Sequence, residues 1–66
     1  MKNNLKALRQ EKNISQDQLA SILHVSRQTI NSIETGKFDP SLKLLIKLLR
    51  YFDTSLEAIF IYEDGS

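Results

Sequence analysis

Apolar positions along the chain repeat at helical rather than strand spacing, and short polar stretches divide them into five segments. A period near 3.6 residues marks an amphipathic helix, and a period of two would mark a half-buried strand. Leu5 and Leu8 sit on one face of a first helix over Leu5 to Lys12, with Asn13 at its end and Ile14 as a core residue in the link. Ser15 is placed to cap a second helix, and Gln18 three residues later completes a capping box. That helix runs from Gln16 to Leu23 and carries Leu19, Ala20 and Leu23 on its buried side. His24 and Val25 form the turn, with His24 where a left-handed residue is needed. Ser26 caps a third helix beginning at Arg27, with Ile30 and Ile33 inward and Gly36 beyond its end. Phe38 is expected to tuck over the core, and Asp39-Pro40-Ser41 to turn the chain into a fourth helix, Leu42 to Phe52. Asp53-Thr54 breaks it, and Ser55 caps a last helix, Leu56 to Phe60. Phe60-Ile61-Tyr62 is β-prone; a short strand there would pair with Met1 to Asn4 or with a second copy of the chain. The expected fold is all-α: one compact five-helix domain over residues 1–66, with a short C-terminal β-strand as its one possible addition.

The second and third helices, joined by so short a turn, have the organisation of a helix-turn-helix over residues 16–35, and Ala20 is small where the two would cross. A wheel drawn at about 100° per residue, with Arg27 at zero, puts Ile30 and Ile33 near roughly 300° and 240°. The opposite face carries Gln28, Asn31, Ser32 and Thr35, flanked by Arg27 and Thr29. These side chains are short to medium in length and rich in hydrogen-bonding groups. In a DNA major groove Gln and Asn can pair with adenine through two bonds, and Arg with guanine.

Composition narrows the chemistry further. Sixty-six residues make a small domain whose core is marginal, and self-association is one way to enlarge it. Leu56, Phe60, Ile61 and Tyr62 supply surplus apolar surface and are the candidate dimer interface, and the fourth helix is more apolar than one buried face requires. There is no cysteine, so neither a disulfide nor a Cys-based zinc site is expected, and one histidine builds no metal site alone. The chain also lacks a glycine-rich phosphate loop and an obvious acidic pair, which argues against an enzyme. No cofactor and no small-molecule ligand are evident. No apolar run reaches membrane-spanning length and no signal peptide is visible, so a cytoplasmic protein without membrane contact is expected. The overall charge is only +1, but it is unevenly spread. All nine Lys and Arg lie in residues 1–50 against four carboxylates, a net of +5, and the last sixteen residues hold four carboxylates and no base. A basic body with an acidic end suits one face turned toward DNA and another turned away.

The run SQDQLASILHVSRQTINSIETGK, followed by PSL and then SLEAIF, resembles the phage-repressor or Cro-type helix-turn-helix proteins of the xenobiotic-response-element class. The resemblance covers roughly residues 4–60 and is nearest to compact bacterial repressors with little beyond the DNA-binding domain. It implies a homodimer on a pseudo-palindromic site in double-stranded DNA. Carried over by position, Arg27, Gln28, Asn31 and Ser32 would face bases. Gln16, Ser26, Thr29 and Lys37 would face phosphates, and Arg9 and Glu34 would form a structural ion pair. Three features depart from the pattern. His24 replaces the usual glycine, Leu45 and Leu49 stand where small residues are frequent, and no second domain is visible. The competing reading is a protein-interaction module, such as an antitoxin that also binds its own promoter.

Overall fold

The computed structural model describes residues 1–62. In chain order it contains strand β1 (Lys2–Asn3), helices α1 (Leu5–Glu11), α2 (Gln16–Leu23), α3 (Arg27–Glu34), α4 (Leu42–Phe52) and α5 (Leu56–Ile59), and strand β2 (Phe60–Ile61). Four of the five helices begin at a serine whose hydroxyl accepts a backbone N–H three residues on: Ser15 from Gln18, Ser26 from Thr29, Ser41 from Leu44 and Ser55 from Ala58. Each satisfies a donor that the helix itself leaves without a partner. At Ser15 the box is reciprocal, since Gln18 Oε1 accepts the Ser15 N–H at 2.7 Å.

The first four helices stop where the backbone turns left-handed. Asn13, His24 and Asp53 all have positive φ, between 50° and 60°, and Gly36 has φ 78°. His24, at φ 60° and ψ 44°, is a turn residue, and its backbone N–H closes the end of α2 on the Ala20 and Ser21 carbonyls. The Lys47 ammonium donates to the Leu23 carbonyl at 3.3 Å, which satisfies another acceptor at that end.

The core is contributed by every helix. Leu5, Leu19, Ile30, Ile33, Leu48 and Ile59 are fully buried, with Ala20, Leu23, Leu44 and Phe60 nearly so. Leu8, Ile14, Val25, Leu45, Leu49, Tyr51 and Phe52 pack around them. Truncating a fully buried leucine here to alanine would cost about 2–5 kcal/mol. Ala20, with no side chain beyond Cβ, is buried in the α2–α3 pair at the heart of this cluster.

The strand resolves one open choice: β2 pairs with β1 of the same chain, antiparallel, with Lys2 opposite Ile61 and Asn3 opposite Phe60. The Asn4 N–H continues the link to the Ile59 carbonyl at 2.7 Å. The Asn3 amide reaches the Ile33 carbonyl at 2.8 Å, tying the strand pair to the end of α3.

Four expectations need correction. Helix α1 ends at Glu11, with Lys12 as its C-cap, rather than at Lys12. Helix five ends at Ile59, because Phe60 is extended (φ −108°, ψ 138°) and enters β2. Phe60 is therefore only 8% exposed and belongs to the core, so it offers little to a second copy. Phe38 does not tuck over the core and is 47% exposed. The Lys37 and Phe38 N–H groups both bond to the Ser32 carbonyl, at 3.0 and 3.2 Å, which keeps this segment beside α3 with its ring outward.

Candidate nucleic-acid interface

α3 divides its residues sharply. Ile30 and Ile33 are fully buried, and Arg27, Gln28, Asn31 and Thr35 are exposed. The helix forms a ridge between two open recesses. One, of about 550 Å³, is lined by Arg27 and Asn31 together with Lys6, Gln16 and Thr35. The other, of about 230 Å³, is lined by Ser26, Gln28, Thr29, Ser32 and Phe38. Lys37 is exposed just beyond the helix.

Several of the expected contact residues already have partners. The Ser26 hydroxyl accepts the Thr29 N–H at 3.1 Å, and the Ser26 and Thr29 hydroxyls lie 2.9 Å apart. Ser32 is half-buried. The Thr35 hydroxyl turns back along its own helix and donates to the Asn31 and Ser32 carbonyls. The side chains left outward on α3 are therefore Arg27 and Gln28, together with Asn31, whose oxygen also accepts from Gln16.

Behind them lies a polar network built on the expected Arg9–Glu34 ion pair, to which the structure adds Gln16. Arg9 Nε donates to Glu34 Oε2 at 2.7 Å, Arg9 Nη2 to Glu34 Oε1 at 3.2 Å, and Arg9 Nη1 to the Ile14 carbonyl at 2.9 Å. Both side chains are buried, at 10% and 3% exposure. The hydrogen bond that Arg9 donates to Glu34 raises the Arg9 pKa above its already high ordinary value, more than burial lowers it. Gln16 joins this pair. Its Nε2 donates to Glu34 Oε1 at 3.0 Å and to Asn31 Oδ1 at 3.2 Å. The Gln16 amide nitrogen is thus engaged within the protein. Its remaining oxygen accepts only, and a phosphate offers no proton to accept. No one-dimensional pattern announces this link, because it joins residues of α1, α2 and α3 through side-chain ends.

At the other end of the chain, Leu56 (43% exposed), Ile61 (42%) and Tyr62 (77%) stay open to solvent, in contrast to Phe60. Among the described residues, no helix is long and apolar enough to cross a membrane.

The family model described as helix-turn-helix matches residues 5–59, the whole stretch from the start of α1 to the end of α5. The chain belongs to the Cro-type helix-turn-helix family. Relatives of this helix-turn-helix chain match it nearly end to end. An uncharacterized HTH-type transcriptional regulator of Methanocaldococcus jannaschii is 56% identical over 64 residues, covering 97% of both chains. YgzD of Bacillus subtilis, named as an uncharacterized HTH-type transcriptional regulator, is 39% identical over 64 residues, again with 97% of each covered. The HTH-type transcriptional activator BcrR of Enterococcus faecalis is 35% identical over 60 residues, which span 91% of this chain and 29% of BcrR.

Proposed function

We propose that this DNA-binding transcriptional regulator is a sequence-specific repressor. It acts in the cytoplasm on double-stranded DNA, as a homodimer on a pseudo-palindromic operator with α3 in the major groove. The observation that carries the reading is the division of α3. Ile30 and Ile33 hold the helix to the core at no exposure, and Arg27, Gln28 and Asn31 stand out on the side that a groove would meet. Arg27, Gln28 and Asn31 are the principal base contacts, with Ser32 deeper in the second recess. Lys37, the Ser26–Thr29 pair and the start of α2 at Gln16 approach the phosphates. For Gln16 the approach is through backbone N–H at the positive helix end. Phosphate contacts supply much of the affinity and make it salt-dependent, and the base contacts give the sequence preference.

The dimer places two copies of α3 in successive major grooves, about 34 Å apart. Leu56, Ile61 and Tyr62 form its apolar contact surface. Repression is by occupancy: a bound dimer over a promoter excludes polymerase and needs no further surface.

The test is selection from random duplex DNA at near-physiological salt, where non-specific binding is weak. The expected product is a two-fold symmetric motif with half-sites about one helical turn apart. A single asymmetric half-site would refute the dimer, and no enrichment would refute the repressor reading altogether.

A further inference from the structure

Phe38 is an aromatic ring held at the edge of the proposed reading face. Gly36 turns left-handed at φ 78°, and the Lys37 and Phe38 N–H groups then both bond to the Ser32 carbonyl. The ring forms one wall of the recess of about 230 Å³ that Gln28 also lines. The remaining lining residues offer little free polarity. The Ser26 and Thr29 hydroxyls lie 2.9 Å apart, and Ser32 is half-buried. Among the described residues, Phe38 is the one large apolar side chain in either recess beside α3. Base edges in the major groove are polar, and the exception is the 5-methyl group of thymine. A ring pressed on a polar edge strips its water and returns no hydrogen bond, which costs free energy. A ring pressed on the methyl group removes apolar surface from water, which is favourable. Gln28, in the same recess, suits adenine, and every adenine pair carries a thymine methyl into that groove.

We infer that Phe38 is a specificity-determining residue, its ring packing on the 5-methyl group of a thymine in the part of the half-site that Gln28 reads. The inference rests on the DNA-reading role of α3 proposed above. It adds a residue outside the helix, and an apolar contact beside the hydrogen bonds.

The probe is the duplex recovered by the selection, with each thymine of one half-site replaced in turn by deoxyuridine, which lacks only the methyl group. Binding is measured by fluorescence anisotropy. Phe38 stands outside the core, so Phe38→Ala keeps its helices, which circular dichroism checks. At one thymine the replacement weakens binding by the wild-type protein about fourfold, the worth of one buried methyl group. Phe38→Ala binds the two duplexes equally at that position, and Phe38→Leu, still apolar, keeps part of the difference. At any other thymine Phe38→Ala and the wild type respond alike. A methyl penalty that persists undiminished at every thymine in Phe38→Ala overturns the inference. So does a wild type indifferent to every methyl group, or a half-site without thymine. Affinity lost by Phe38→Ala equally on all duplexes, with methyl sensitivity unchanged, marks a contact to the sugars and overturns it as well. Each of these results leaves the repressor reading intact, whereas failure to select any motif overturns both.

Discussion

Replacing Arg9 by alanine should damage the fold far more than its place in a short surface helix suggests. The Arg9 and Glu34 side chains are 10% and 3% exposed and joined by two hydrogen bonds, so removing the cation strands a buried carboxylate with Gln16 as its one remaining side-chain partner among the described residues. Breaking a buried pair in this way costs about 3–5 kcal/mol. The lower end applies, because water is never far away in a domain of this size. Loss of the bond to the Ile14 carbonyl adds about 1 kcal/mol, for a total near 4 kcal/mol. A 66-residue domain has only about 3–10 kcal/mol to lose. Arg9→Ala should therefore have its urea midpoint, followed by far-ultraviolet circular dichroism, cut by about half or more. The double variant Arg9→Met, Glu34→Leu removes both charges and should stay within about 1–2 kcal/mol of the original. The Arg9 pKa is raised in the folded state, so its contribution is fully present below the unfolded value and is lost only as pH rises through the folded one. The cost of Arg9→Ala should accordingly be the same throughout the neutral range. A loss below about 1 kcal/mol would mean that the pair is screened like one on the surface, and the reasoning would fall.

Four further outcomes follow from the same geometry. Gln28→Ala should cost roughly 1–3 kcal/mol on the selected operator and relax preference at one base pair; equal loss on every sequence would remove Gln28 from the base contacts. Lys37→Ala should weaken binding evenly and reduce the slope of log affinity against log salt by about one, which titrations at several salt concentrations would measure. His24 holds a left-handed conformation, so His24→Gly should raise the unfolding free energy by up to about 1 kcal/mol and His24→Val should lower it, both read from urea melts. Tyr62→Glu together with Ile61→Glu should leave the helical signal in place and shift sedimentation from dimer to monomer; a monomer before substitution would dispose of the interface.

Much of the fold was legible because its boundaries are set by local chemistry. The limits of α2 and α4 coincide with the expected ones, since Ser15, Ser41 and the left-handed His24 and Asp53 mark them in any tertiary setting. Where the outcome depended on distant partners, the sequence was less informative. Phe60 reads equally well as the last residue of a helix or the first of a strand, and pairing with β1 decides it. Phe38 has the composition of a core residue, but two backbone bonds to Ser32 hold it elsewhere. The outward face of α3 could be drawn on a wheel from α3 alone. What Gln16 does could not, because its amide answers to a carboxylate on α3 that is itself held by an arginine on α1.

The pairing of β1 with β2 also sets the longest loop that the chain must close. Lys2 and Ile61 stand fifty-nine positions apart, and α2 packs on α3 through residues roughly ten apart. Closing the longer loop costs about 1.6 kcal/mol more chain entropy than closing the shorter one. On chain entropy alone, the helix pair that carries Arg27, Gln28 and Asn31 is therefore expected to assemble before the strand pair closes. By this count α2 and α3 have the smaller loop to close, and the proposed DNA-reading face sits on that locally joined pair.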